Sequence, residues 1–187
     1  DAGDIFDQML HAELSGKKTH GLVRIPWLLK KNIKGHKKPI LYKTDGVVSH
    51  FDCSKSIGYL AANEIIEYIK NKNADNDVHI AVGHNIFPTG VIGHYARQLI
   101  NDNIVFIFGT TPNLVKFSDE KDRRFGTNPF SAGLSYGRNK YFIFDVTTAQ
   151  GSFGELLASK YNLIKFNKIK YHTTHNKIPK RIEQLFN

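Results

Sequence analysis

Apolar residues recur along this chain at two periods, and the changes of period divide it into elements. In "DAGDIFDQMLHAELSG", Ile5, Phe6, Met9, Leu10 and Leu14 share one helical face, which predicts a helix over residues 2–15 ended by Gly16. "KKTHGLVRIPWLLKKNIKG" reads as a turn leading into a short amphipathic segment that stops near Gly35. At "ILYKTDGVVSHFDC" the period drops to two, and Asp45-Gly46 is expected as the turn of a hairpin. The strongest helical pattern is "SKSIGYLAANEIIEYIKNKN". Its apolar stripe runs through Ile57, Leu60, Ala61, Ile65 and Ile69, with Ser54 or Ser56 as the expected N-cap.

"VHIAV" then predicts a buried strand, Pro88-Thr89-Gly90 a turn, and "VIGHYARQLIND" a further helix. "IVFIFGTT" is a second continuous apolar run that ends in small polar residues, as strands do where they meet a ligand. "PNLVKFSDEKDRRFG" reads as an irregular charged loop. "TNPFSAGLSY" and "KYFIFDVTTAQG" read as two strands joined by a tight turn at "GRN", and "SFGELLASKY" as the start of a helix. Strands interleaved with helices predict an α/β fold with a mixed sheet and flanking helices. No internal repeat or low-complexity linker interrupts it. Three segments are marked out: an N-terminal helical segment 1–40, an α/β core 41–160 and a basic tail 161–187.

Composition supports a packed chain. Of the 187 residues 41% are hydrophobic, enough to exclude disorder as the default. Cys53 is alone, so no internal disulfide forms, and it reads as a small core hydrophobe rather than a nucleophile. No apolar run approaches about 20 residues, so no membrane-spanning helix is expected. The start of the chain lacks a basic n-region and an apolar h-region, and the expected location is the cytoplasm. The formal net charge is +9, and two thirds of it comes from residues 160–187. A basic tail can bind nucleic acid, but no nucleic-acid motif accompanies it, and a solvated face is the simpler reading.

No GxGxxG follows a strand, so a Rossmann dinucleotide site is not supported, and no Walker loop occurs. His172 and His175 are weak evidence for a metal site, and no metal is expected. The polar residues at turns and strand ends carry more. Thr19-His20-Gly21 with Arg24 places an imidazole a turn from a guanidinium, which suits the gripping of a carboxylate beside a group that exchanges protons. Asp145, at the end of "YFIFD", needs a partner, and a histidine N–H would satisfy it. Taken singly, each has a plain alternative: a capping or core histidine, a surface arginine, a carboxylate that caps the next helix.

The same residues carry a resemblance. "HAELSGKKTHGLVRIP", "DCSKSIGYLAANEIIEYI", "FGTTP", "RRFGTNPFSAGL" and "FIFDVTTAQGSFGEL" resemble, in order, the signature stretches of the type II malate/L-lactate dehydrogenase family. The fourth stretch is the most specific. The resemblance implies a non-Rossmann α/β fold that binds NAD or NADP, usually as a homodimer. The implied chemistry is hydride transfer between the nicotinamide and a small carboxylate substrate: a 2-hydroxy acid, 2-keto acid or cyclic imino acid. It implies that His20 donates the proton, with Thr19 standing in the serine position of a Ser-His-Gly motif. Arg24 would bind the substrate carboxylate and Asp145 would orient the histidine. Thr111, Thr147, Thr148 and Ala149 would contact the cofactor.

The chain also departs from the family pattern. Pro88 stands where the family has a histidine, and His84 and His94 lie on either side of that position. Thr110 replaces an asparagine, Ala149 a serine, and Glu155 a lysine. The expected protein is a diverged, shortened member of the family. Alternatives are a catalytically impaired protein or partner subunit of the same fold, and a basic nucleic-acid-binding module.

Overall fold

A computed structural model describes residues 2–30, 35–72, 78–101, 103–111, 113, 115, 122–138 and 140–149. The expected helix after Gln150 and the basic tail with His172 and His175 lie outside these residues.

Helix α1 (Ala2–Leu14) buries Ile5, Gln8, Met9 and Ala12. This stripe is rotated from the expected one, because Phe6, Leu10 and Leu14 are exposed. The rotation puts a polar residue into the core, where the Gln8 amide N–H groups find carbonyls while its Oε1 accepts no hydrogen bond from the described residues. Its Nε2 donates to Thr89 O at 2.7 Å and to Val91 O at 3.2 Å. Two 3-10 turns, Lys18–His20 and Leu22–Arg24, lead into helix α2 (Ile25–Lys30).

The first sheet is mixed. Strands β1 (Ile40–Asp45) and β2 (Val48–Asp52) form an antiparallel hairpin, and β3 (Ile80–His84) runs parallel to β2. The hairpin turn falls on Gly46-Val47, one residue later than expected. Gly46 there adopts φ +55°, while Asp45 still pairs with Val48. A second, antiparallel sheet contains β4 (Ile104–Phe108), β5 (Pro129–Gly137) and β6 (Lys140–Thr147). Among the described residues the expected mixed sheet is two three-stranded sheets, of which one is mixed.

Helix α3 (Gly58–Lys70) is the central packing element. It meets α1 through Tyr59 and Leu60, the first sheet through Ala61 and Ile65, and helix α4 (Gly93–Leu99) through Ala62 and Ile66. Neither serine caps it. Ser54 is turned back onto the Asp52 carboxylate, and Ser56 Oγ donates to Lys37 O, so Ile57 occupies the N-cap. Cys53 is fully buried beside Phe51 and Ile65, and burial, with the Asp52 charge adding to it, raises its thiol to about 11. The second sheet packs on α4 through Val105 and partly buried Ile107 and Ile143. Its other face leaves Ile104, Phe106, Phe108, Phe142 and Phe144 exposed. The strand at 104–108, a continuous apolar run, is covered on one face only among the described residues.

Gly58 fixes where the Pro88 turn sits. A Cβ at that position would lie 2.7 Å from Phe87 C and closer still to Pro88 O, both backbone atoms. Gly58→Ala must therefore push α3 and the turn apart. The expected cost is about 1–3 kcal/mol, read as a melting temperature lower by about 2–4 °C per kcal/mol. A variant that melts with the wild type would show that the contact yields freely.

Candidate active site

The C-terminus of α1 starts the site. Gly16, at φ +74°, lets the chain turn back on the helix, with Gly16 N donating to Glu13 O at 3.0 Å and Lys17 N to Ala12 O at 2.8 Å. This Schellman closure satisfies two terminal carbonyls and fixes the Lys17 backbone. Lys17 Nζ reaches Asp145 on β6, at 2.6 Å from Oδ2 and 3.0 Å from the main-chain oxygen. Asp145 Oδ2 also accepts the Gly93 N–H at 3.2 Å, at the first residue of α4. Only glycine permits this approach, because a Cβ on residue 93 would lie 2.7 Å from the same oxygen. The histidine expected to partner Asp145 is therefore replaced by a lysine and a backbone amide.

Beyond Lys17 the two 3-10 turns place Thr19, His20 and Arg24. Glu13 braces them by accepting the Leu22 N–H at 2.9 Å, and a Cβ on Gly21 would lie 2.7 Å from its carboxyl carbon. Arg24 is buried and its Nε donates to Thr19 O at 2.9 Å. Thr19 Oγ1 and His20 Nδ1 are 3.1 Å apart, a hydrogen bond that fixes the ring. Burial, reinforced by the Arg24 and Lys17 charges, drops His20 to about 3, so its imidazole is neutral near pH 7. Burial also lowers Arg24, which remains a cation.

Thr19, His20 and Arg24 share one open groove of about 2630 Å³ with Lys17, Asp145 and Pro88. Thr111 and Thr147 line it as well. Thr111 Oγ1 accepts the Thr127 N–H at 2.7 Å and lies 3.1 Å from Thr127 Oγ1, and Thr147 Oγ1 donates to Thr127 O at 2.6 Å. Thr127 is thus the hub of a hydroxyl shelf that joins the ends of three strands. Thr148 and Ala149 are tied to this hub by Thr148 Oγ1 to Thr127 O and Ala149 N to Thr147 Oγ1, yet do not line the groove. The groove also does not bring in the flanking histidines. His84 Nε2 meets His50 Nδ1 at 3.2 Å on the first sheet, and the His94 ring lies 5.2 Å from that of His11.

Sequence reasoning missed Lys17, Gln8 and Thr127. For Lys17 a signal existed, since the residue after a helix-ending glycine has a defined direction. Gln8 and Thr127 act through partners far away in sequence, so no local pattern marks them.

At about 2630 Å³ the groove is roomier than the about 300–1,000 Å³ of most small-molecule and cofactor sites, so it has room for a dinucleotide, with apolar walls from Ile86, Phe87 and Val91 and the hydroxyl shelf at one end. Among the described residues no cluster of three or more His, Cys, Asp or Glu side chains is placed to hold a metal ion.

Comparison with known proteins bears on the family and the fold. Residues 1–163 match the family described as Malate/L-lactate dehydrogenase. Hydroxycarboxylate dehydrogenase B of Escherichia coli K12 is 26% identical over 160 residues, covering 81% of this chain and 44% of that protein. A malate dehydrogenase of Pyrococcus horikoshii is 24% identical over 161 residues, covering 83% and 44%. The solved structure of a malate dehydrogenase from Pyrococcus horikoshii OT3 superimposes with a TM-score of 0.72 at 21% identity, covering 82% of this chain and 45% of that one. A sulfolactate dehydrogenase from Methanocaldococcus jannaschii gives 0.68 at 23% identity, covering 86% and 48%. The chain spans somewhat under half the length of the relatives it matches. Its fold is theirs, and by the match over residues 1–163 the chain belongs to the malate/L-lactate dehydrogenase family.

Proposed function

We propose that this protein is an NAD(P)-dependent oxidoreductase that transfers a hydride between a nicotinamide cofactor and a small 2-hydroxy acid, 2-keto acid or cyclic imino acid. The observation that carries this reading is the convergence of Thr19, His20, Arg24, Asp145, Thr111 and Thr147 on one groove from both ends of the described chain. When bound, the cofactor supplies or takes the hydride. The hydroxyls of Thr111 and Thr147 would hold it at the strand ends, with Thr148 and Ala149 acting on the shelf from behind.

Arg24 binds the substrate carboxylate. A buried guanidinium meets a carboxylate with charge-assisted hydrogen bonds in a water-poor setting, where they are strongest. His20, kept neutral and fixed by Thr19, hydrogen-bonds to the substrate and orients it rather than carrying a charge. A homodimer in the cytoplasm belongs to the same reading, and light scattering of the purified chain tests the assembly.

One observation favours a second reading, a catalytically impaired protein of the same fold. Pro88 lines the groove where the family has a histidine, and proline neither donates a hydrogen bond nor moves a proton.

Binding and turnover separate these readings. Trp27 is buried with its ring 6.1 Å from that of Phe87, next to the turn that lines the groove, so NADH or NADPH binding is expected to change its fluorescence. No response in fluorescence or melting temperature at millimolar cofactor would overturn the oxidoreductase reading. Binding without turnover of any 2-keto acid or cyclic imine would select the impaired protein. In an active protein Arg24→Lys is expected to raise KM about 10- to 100-fold, the loss of a charge-assisted contact of about 1.5–3 kcal/mol.

The state of His20 has its own test. Its folded value of about 3 lies below the ordinary 6.5, so between these values the unfolded chain binds the extra proton. The buried neutral ring thus contributes stability that is complete above pH 6.5 and is lost as the pH falls towards 3. Imidazole NMR at pH 5 is expected to show His20 neutral, and His20→Gln should flatten the fall in melting temperature from pH 6.5 to 4. A ring that titrates near 6.5 would contradict this arrangement.

A further inference from the structure

Away from the groove, the outer face of the first sheet brings two imidazole nitrogens together. Burial alternates along β2, with Ser49 and Phe51 turned inward and Val48, His50 and Asp52 on the other face. In the parallel register His50 stands opposite Val82, and Asp52 opposite His84, the last residue of β3. His50 and His84 are thus diagonal neighbours, and His50 Nδ1 lies 3.2 Å from His84 Nε2. From this contact we propose that His50 and His84 form a site for a divalent transition-metal ion, with zinc as the ion the geometry fits. His50 Nδ1 and His84 Nε2 are its protein ligands. Neither ring lines the groove, so the site stands apart from the oxidoreductase reading.

Three observations converge. The first is distance. Zinc holds imidazole nitrogen at about 2.0–2.1 Å, and two such bonds closing a 3.2 Å gap meet at about 100–105°, near the tetrahedral angle. The same gap suits an N–H···N hydrogen bond, in which one ring donates and the other accepts. Ligation therefore asks for a change of tautomer, not a change of fold: the donating ring carries its proton on its other nitrogen. Both side chains reach solvent, so the rings can turn towards one ion without disturbing the core.

The second is rigidity. Strands β2 and β3 pair from Val48 and Ile80 through to Asp52 and His84, and Cys53 N donates to His84 O at 2.9 Å. The two ring-bearing positions are preorganised, which lowers the cost of binding. The Tyr42 ring on β1 walls the site, 6.0 Å from the His50 ring and 5.9 Å from that of His84.

The third is the donor set. Imidazole suits zinc, copper and nickel, whereas magnesium and calcium take oxygen ligands, and a near-tetrahedral angle selects zinc over the square-planar ions. Asp52 places a carboxylate on the same face beside His84, where its charge attracts a cation. That carboxylate is held by Ser54 N and Ser54 Oγ, each at 3.0 Å, and is not a ligand. Among the described residues no third His, Cys, Asp or Glu side chain joins the pair, so water fills the remaining positions. An ion here ties the middle of β2 to the end of β3. Asn85, at φ +58°, follows directly, where the chain leaves the sheet for the Pro88 turn.

Zinc calorimetry on the full chain at neutral pH tests the site, in a His172→Gln/His175→Gln background that removes the histidines of the tail. One zinc per chain is expected, undisturbed by millimolar magnesium. His50→Gln and His84→Gln should each weaken it by at least about tenfold, because the second ligand acts intramolecularly. Without zinc both variants should melt within about 2 °C of the background protein, as surface substitutions do. Zinc should raise the melting temperature of the background protein but not of the variants. In the unsubstituted rings, zinc should shift the NMR signals of His50 and His84 together and leave buried His94 in place.

Equal zinc affinity in either single variant would overturn the proposal, as would displacement of zinc by magnesium at equal concentration. So would His50 and His84 signals that stay in place at saturating zinc, a readout that needs neither variant to fold.

Discussion

The ion pair between Lys17 and Asp145 joins the two ends of the described chain across 128 residues. Asp145 lies on the sixth strand, where its carboxylate also takes the amide of the first residue of α4. Lys17 lies at the end of the first helix, held by a closure that requires a glycine before it. One carboxylate therefore sets three elements relative to each other: a helix end, a helix start and a strand. Asp145 is largely shielded from water, and a carboxylate in that setting needs its partners, because taking it from water without them is costly. The wall of the groove is built on the same constraint, since Thr19, His20 and Arg24 follow Lys17 directly and have no sheet of their own to fix them.

Around this pair the packing leaves few degrees of freedom. Gly58, Gly90 and Gly93 are the points of closest approach. At each, a Cβ would collide with the Pro88 turn, with Gln8 and Tyr59, or with Asp145. Gln8 then closes the Pro88 turn from below, with Tyr95 OH donating to Thr89 O at 2.8 Å alongside it. The opposite face of the second sheet lacks such constraints among the described residues. Its phenylalanines stack on one another, Phe108 on Phe130 at 4.9 Å, without a covering layer. The close packing among the described residues thus lies on the side that carries the site.

Period and turn chemistry made most of the elements legible. Gly16, the hairpin near Gly46, the stripe of α3 and the last two strands are all visible in local spacing, because each depends on neighbours within a few residues. What spacing could not show depends on the partner. The α1 face was rotated because Gln8 finds carbonyls more than 80 residues away, and a polar residue at a core position carries no local sign of that. The serines expected to cap α3 had nearer bonds to make, with Asp52 and Lys37. The resemblance brought Thr19, His20, Arg24, Asp145, Thr111 and Thr147 together on paper, and all six line one groove. The pairing within that set was not legible. A family pattern gives residue types, whereas the partner of Asp145 depends on Lys17, a position outside the motif.

Charge explains why that partner matters for the chemistry. The wall holds two cations, Lys17 and Arg24, with the His20 ring close enough for both to depress it. Were Asp145 to face His20 instead, it would stabilise the imidazolium, and the histidine could serve as the acid. Facing Lys17, it leaves the imidazole without a counter-ion in a partly desolvated site that already holds two positive charges. With His20 neutral, Lys17 and Asp145 form an oppositely charged pair beside it. The choice of partner for one aspartate thus joins burial in keeping the histidine neutral.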